Sequence, residues 1–337
     1  VLTLLSRTCI TVALAWAAGP GAQLPAIDPT LQLPLERRAL GLSDDDLEKQ
    51  VIEDPNGLGS LSLGEPHRGR LLGGVPLQSS RLLEVVAPDV AFGTHETVAY
   101  LERAVRRVQE LHDNTPPLSV GHISRPSGGY VSPHKSHQSG RDVDLGFYYA
   151  KNGGWYRRGT ADNLDLARCW SLVRALITET DVEMIIVDNS IQRLLQAYAE
   201  RIGEDRAWLK RIFSGDAEHP EIIRHLWGHT THFHVRFFNP AAQTLAARAY
   251  PHLVDADLVD PVQSFTTYRA KKGDTLGRLA NRFGTTVRAI QAANGMRGTV
   301  IQAKKVYRIP RAGGPTVPVP LTIPSRCLPP TAPPPGR

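Results

Sequence analysis

The chain has 337 residues, 41% hydrophobic and 21% charged, with a formal charge of +6. This is the composition of a soluble globular protein, with material for one large domain or two smaller ones around a buried core. The charge suits an anionic partner such as nucleic acid, a membrane surface or an acidic wall polymer, but is too mild to choose among them. Its only cysteines are Cys9, Cys169 and Cys327, which argues against a disulfide framework.

In chain order, residues 1–23 read as an export signal: Arg7, the apolar run Cys9 to Ala18, then small residues around Gly19 to Gln23. The run is too short to span a bilayer. Residues 24–56, rich in Pro, Asp, Glu and Leu, read as a linker or pro-segment with room for one helix. Gly and Pro punctuation from Gly57 to Ser80 predicts loops wrapped on a core. Glu96 to Leu111 is an amphipathic helix with Val98, Leu101, Val105 and Val108 on one side. After Pro116 and Pro117, Leu118 to Ile123 reads as a strand, followed by a Gly-rich loop, Arg125 to Tyr130. Leu164 to Ile177 is a second helix capped by Asp162 or Asn163, and Val182 to Val187 is a strand. Ser190 is placed to cap a third helix that Gly203 stops, and Asp205 to Phe213 forms a short fourth. This mixture predicts an α+β domain over residues 57–255.

Past His252 the pattern changes. A strand at Thr267 to Ala270, a helix with Leu276, Leu279, Ala280 and Phe283 capped by Asp274, a second helix through Val287, Ile290 and Ala293, and a strand at Val306 to Ile309 form a βααβ module within residues 264–311. The end, residues 312–337, has nine prolines from Gly313 onward and is expected to be extended and disordered.

Five of the 12 histidines fall in two stretches. In the stretch from Gly228 to Phe237, period-2 alternation makes His232, His234 and Arg236 project together while Phe233, Val235 and Phe237 pack inward. In the stretch from Ser132 to Phe147, Gly140 permits a turn, after which Asp142 and Asp144 share one strand face. His137 before the turn and Asp144 after it can converge. With His234 they offer two nitrogens and one carboxylate oxygen and leave a fourth position for water, the arrangement of a catalytic rather than a structural zinc site.

The run Ser136-His-Gln-Ser-Gly-Arg-Asp-Val-Asp-Leu145, taken with His232-Phe-His-Val-Arg236, resembles the penicillin-insensitive murein endopeptidase family of zinc peptidases. That fold group, an antiparallel-sheet domain with flanking helices, also contains D-alanyl-D-alanine carboxypeptidases and lysostaphin-like enzymes. The similarity extends through Gly64 to Leu72 and Arg125 to Gly129, and so covers most of residues 57–240. It implies zinc on His137, Asp144 and His234, a catalytic His232 with His229 as the alternative, and His134, Asp142 and Arg236 lining the site. It further implies hydrolysis of the D-alanyl to meso-diaminopimelyl cross-link of peptidoglycan, in the periplasm or cell envelope. Whether His232 moves a proton or holds the tetrahedral oxyanion stays open.

The small module resembles a LysM domain in Tyr268 to Leu276 and Ala293-Asn-Gly295, which implies binding to N-acetylglucosamine-containing glycan. It departs from many members at Gln302-Ala303-Lys304, where a Gly-Gln pair is common. Nucleic acid is not an expected partner, and no integral membrane segment is expected in the mature chain. Two competing readings use the same residues: a wall-binding protein without activity, and a carboxypeptidase acting on terminal D-alanine.

Overall fold

The computed structural model describes residues 35–151, 153–259, 265–310, 321 and 323–330. The expected export signal and the first part of the expected linker, residues 24–34, lie outside the described residues. So do residues 312–320, 322 and 331–337 of the Pro-rich end.

The described chain opens with helices α1 (Leu35–Ala39) and α2 (Asp44–Glu53), then the hairpin of β1 (Leu61–Glu65) and β2 (Arg68–Leu72). The short strands β3 (Val75–Pro76), β4 (Leu83–Val85) and β5 (Phe92–Gly93) lead into α3 (His95–Leu111). Next come β6 (Leu118–Val120), β7 (Asp142–Gly146), α4 (Leu166–Glu179), β8 (Val182–Val187), α5 (Asn189–Arg201) and α6 (Arg206–Ser214). Strands β9 (Ile223–His225) and β10 (His232–Phe237) and helix α7 (Pro240–Asp255) complete this part of the chain. The βααβ unit consists of β11 (Phe265–Arg269), α8 (Leu276–Phe283), α9 (Val287–Ala293) and β12 (Val306–Pro310), with β11 and β12 paired antiparallel. The fold is α+β.

A six-stranded sheet runs in the order β4-β6-β7-β10-β8-β9. Its central pairs, β6-β7, β7-β10 and β10-β8, are antiparallel, and parallel pairs β4-β6 and β8-β9 close the two edges. Alternation sets the two faces. Val143, Leu145, Phe233, Val235 and Phe237 are fully buried in a core shared with Leu101 and Val105 of α3, Trp170 and Val173 of α4, and Leu209 of α6. Burying each such side chain stabilises the sheet by about 1.5–3 kcal/mol. The opposite face of the same strands carries Asp142, Asp144, His232 and His234.

Several expectations are corrected by packing. Residues 35–56 are not a linker: Ala39, Leu47, Val51 and Leu58 form a second core with Leu245, Ala249 and Leu253 of α7. Arg248 of α7 ties this segment down by donating to Leu40 O, Leu42 O and Asp44 Oδ1, each at 2.8 Å. Helix α7 itself was not foreseen; its Ala-rich run holds an internal proline, Pro251, which disguises a helix in sequence.

The Pro-rich end is not disordered throughout. Cys327 is buried in the main core, the Trp208 indole N–H donates to Cys327 O at 2.9 Å, and Arg326 Nε lies 2.8 Å from Asp181 Oδ1. One docked cysteine and one buried indole outweigh the local preference for extended, solvated chain.

Three helix caps shift by one to three residues. Asp165 caps α4, Asp188 caps α5 and Thr275 caps α8, because in each case that side chain reaches a first-turn N–H. Asp274 instead accepts from Lys271 N and the Tyr268 hydroxyl.

Candidate metal and catalytic centre

Strand register builds half of the site. β7 and β10 pair with His234 opposite Asp144, Arg236 opposite Asp142 and His232 opposite Gly146. Cross-strand partners stand about 4.5–5.5 Å apart at Cβ, so His234 and Asp144 meet directly. His234 Nδ1 lies 3.0 Å from Asp144 Oδ1.

His137 supplies the other half from the loop before β7. Its φ of 65° is left-handed, a conformation that costs a non-glycine residue on the order of 1 kcal/mol or more and persists only where the surroundings enforce it. The enforcement is visible at its neighbours. Gln138 N donates to Pro66 O, Ser62 Oγ donates to Ser139 O, and Thr94 N donates to Gly140 O. Gly128, also left-handed, lets the Arg125–Tyr130 loop press against this segment; a Cβ there would sit 2.3 Å from Gln138 O. The result is a fully buried His137 whose Nε2 lies 3.2 Å from Asp144 Oδ1 and 3.1 Å from His234 Nδ1.

Three donor atoms therefore stand 3.0–3.2 Å apart. Tetrahedral zinc with bonds of about 2.0–2.1 Å needs its ligand atoms roughly 3.3–3.4 Å apart, so the triangle fits with slight expansion. Each imidazole is also oriented from behind. His137 Nδ1–H donates to Ile123 O at 3.1 Å, and His234 Nε2 faces Asp142 Oδ2 at 3.4 Å, which leaves Nε2 of His137 and Nδ1 of His234 as the free donors. Asp142 is itself clamped by Arg236, at 2.6 Å to Nε and 2.9 Å to Nη2.

The electrostatics agree. Burial opposes charge on Asp142 and Asp144, yet Arg236 and His234 around the first, and His137, His122 and His234 around the second, hold both carboxyls well below the usual range. Burial pulls His234 down, but the two carboxylates outweigh it and raise the imidazole to about 9. A field that holds a proton this firmly between two carboxylates also favours a divalent cation.

His232 stands beside the triangle, its Nε2 3.6 Å from Asp144 Oδ1 and its Nδ1 2.9 Å from Thr231 Oγ1. Burial pushes it down to about 4, helped by the neighbouring His229 and opposed by Asp144, so the ring is neutral near pH 7. The His229 ring lies 5.1 Å away, and its buried Nδ1 has no partner among the described residues. His134 sits on the opposite side, 3.9 Å from Asp144 Oδ2, also lowered to about 4, mainly by burial.

The eight residues singled out in the sequence thus converge, in unequal positions. Asp142 and Arg236 lie behind His234. His134, His229 and His232 flank Asp144. Reading the sequence missed His122, whose ring lies 4.7 Å from that of His134, and the pair Trp155 and Tyr156, whose rings lie 6.1 and 5.4 Å from His232. Two aromatics directly after Gly153-Gly154 were the available signal for the pair; a lone histidine at a strand end offered none. A cleft of about 420 Å3 adjoins the site through Gly146 and Trp155 but contains none of its histidines.

A family model described as penicillin-insensitive murein endopeptidase matches residues 62–257, and a LysM model matches residues 268–310. Curated proteins of the former name are similar to this chain. That of Haemophilus influenzae is 27% identical over 175 residues, covering 44% of this chain and 52% of the relative. Those of Pectobacterium atrosepticum and Escherichia coli O1:K1 are each 28% identical, covering 57% of this chain and 67% and 71% of the relatives. The chain therefore spans about half the length of the first and two thirds or more of the others.

Proposed function

Because the chain belongs to the penicillin-insensitive murein endopeptidase family and carries a LysM domain, we propose that it hydrolyses peptide cross-links of peptidoglycan, with zinc held by His137, Asp144 and His234. The bond is the D-alanyl to meso-diaminopimelyl cross-link, and the protein acts after export, in the periplasm or cell envelope. The observation that carries the reading is the triangle of two oriented imidazoles and one ionised carboxylate, 3.0–3.2 Å on a side.

Bound zinc supplies an activated water and a Lewis acid for the scissile carbonyl. The residues of this chain do the rest. Ile123 O and Asp142 fix the imidazole tautomers, and Arg236 keeps Asp142 in place. His232, neutral and presenting Nε2 toward Asp144, accepts a proton from the attacking water or donates a hydrogen bond to the tetrahedral oxygen. His229 is the alternative for that role. The nearly parallel rings of Tyr156 and His232 give the substrate side of the site a partly apolar wall. The LysM domain binds wall glycan and raises the local concentration of cross-links at the site.

The test is mass spectrometry of muropeptides after incubation with purified protein. Expected are conversion of cross-linked dimers to monomers, loss of that conversion with a chelator, and recovery with zinc. Unchanged dimers with about one zinc per chain would refute the endopeptidase reading. Release of terminal D-alanine alone would favour a carboxypeptidase, and absence of bound metal would remove the zinc.

A further inference from the structure

Charge is distributed unevenly along the chain. Of its 39 Lys and Arg and 33 Asp and Glu, residues 265–310 hold ten of the former and one of the latter. The LysM domain therefore carries the whole positive surplus, and the remainder of the chain is slightly acidic. All ten cations are exposed. The one acid, Asp274, is already engaged by Lys271 N at 2.7 Å and by the Tyr268 hydroxyl at 2.9 Å.

Six of the ten gather at one end of the β11 and β12 pair. Ala270 N donates to Lys305 O, Lys304 N donates to Ala270 O, and the Arg269 guanidinium donates to Lys304 O at 2.9 Å. These bonds set the turn that carries Lys271 and Lys272 beside Lys304 and Lys305. Arg278, in the first turn of α8, donates to Gly273 O of that turn at 3.2 Å. Carbonyl oxygens, and the Tyr307 ring 5.7 Å from Lys305 Nζ, do not cancel these charges. Lys304 also has a φ of 69°, the left-handed conformation that favours glycine, so its side chain stands there at a backbone cost. Like charges on one small face repel one another, and an anionic partner relieves that repulsion.

We propose that this basic end binds the free carboxylates of peptidoglycan stem peptides, so that the LysM domain holds the wall by charge and not by its sugars alone. The proposal rests on the reading of peptidoglycan as the polymer on which this protein acts. In that polymer the negative charge lies on the stems, while the linked sugars are uncharged. The stems also contain the cross-links, so ionic capture concentrates cross-links rather than bare glycan at the catalytic centre. A basic domain joined to a slightly acidic remainder further orients the approach, with the LysM domain meeting the anionic wall first. Nucleic acid fits less well, because Tyr268, Phe283 and Tyr307 are buried or half-buried and offer no open ring to stacked bases. An anionic membrane also fits less well. Leu276, Leu279, Ala280 and Ile290 are buried in the domain's own core, which leaves α8 and α9 no apolar face to insert.

The experiment is sedimentation of the full chain on ice, so that binding is read ahead of cleavage. Purified sacculi are compared with sacculi whose carboxyls have been amidated by a carbodiimide and an uncharged amine, and with phosphatidylglycerol vesicles. Amidation should weaken binding about tenfold, and raising salt from about 50 to 500 mM should do the same on native sacculi only. Lys271→Gln, Lys272→Gln, Lys304→Gln and Lys305→Gln together should lose about tenfold on native sacculi, because exposed ion pairs each contribute little and act jointly. That variant should bind amidated sacculi as the parent does. Lys271→Arg, Lys272→Arg, Lys304→Arg and Lys305→Arg together should keep parental affinity, both variants being checked for a native circular dichroism spectrum. Equal binding of native and amidated sacculi by the parent overturns the inference, as does parental affinity in the Gln variant. Tighter binding to vesicles than to sacculi also overturns it and assigns the basic end to lipid headgroups. None of these results touches cleavage, which the muropeptide assay reads separately; unchanged dimers there refute the endopeptidase reading whatever the binding.

Discussion

Asp142→Asn isolates the group that stands behind the proposed metal ligands. Asp142 is completely buried, touches no open surface, and contacts His234 Nε2 at 3.4 Å and the Arg236 guanidinium at 2.6 and 2.9 Å. Asparagine keeps the shape and one acceptor but removes the charge that holds the His234 tautomer and makes Nδ1 a stronger donor. Loss of such an outer partner typically costs 10–100-fold in metal affinity, about 1.4–2.7 kcal/mol. The substitution also leaves the Arg236 charge without its closest carboxylate, with Glu183 4.0 Å away, so a small loss of thermal stability should accompany it. Competition for zinc against a chromophoric chelator measures the first effect and a thermal melt of the metal-free protein the second. A zinc affinity within twofold of the parent would refute the reasoning, because His234 would then be oriented without Asp142.

Other outcomes follow from the same geometry. His234→Ala should lose zinc, whereas His232→Ala should keep it and lose about 10²–10⁴-fold in turnover of soluble dimers; parental turnover in His232→Ala would remove its catalytic assignment. Glu36 and His95 form a pH-dependent latch between the N-terminal segment and α3, with His95 Nδ1 2.7 Å from Glu36 Oε1. Burial opposes the Glu36 charge, but His95 and Ser60 together lower its pKa, while Glu36 raises that of His95 against burial. The Glu36 contribution is complete above the ordinary value of 4.5 and lost as pH falls through the lowered one. The His95 contribution is complete below 6.5 and lost as pH rises through the raised one. Stability to denaturant should therefore carry a component greatest between about pH 4.5 and 6.5 that Glu36→Gln abolishes, and an unchanged pH profile would disprove the latch. Replacing residues 265–310 with a short linker should weaken sedimentation with sacculi and spare cleavage of soluble dimers. Extending the deletion through Pro330 should also lower the melting temperature, since it removes Cys327 from the core and Arg326 from Asp181; equal melting temperatures would contradict that docking.

Local pattern was enough to determine much of this protein. Alternation over His232–Phe237 assigned the two faces of β10, because side chains on a strand point to opposite sides by covalent geometry alone. Gly140 and the spacing of Asp142 and Asp144 did the same for β7, and helical spacing found α3, α4, α8 and α9. The convergence of His137, Asp144 and His234 was legible because His234 sits on a strand of alternating pattern and the turn at Gly140 links His137 to Asp144, which restricts where their side chains can go.

Tertiary structure decided what depends on partners far away in sequence. Antiparallel register put Asp144 opposite His234 across 90 residues, and β6 brought His122 to the other oxygen of the same carboxylate. Asp142 and Arg236 read as residues lining the site; burial sets Asp142 against His234 Nε2, with Arg236 bound to it from behind. Residues 35–56 and 323–330 have the composition of linker and disordered tail. They are held in place by Arg248, Trp208 and Asp181, distant groups that propensity cannot anticipate, because a few well-buried contacts outweigh the weak local preferences of a short segment.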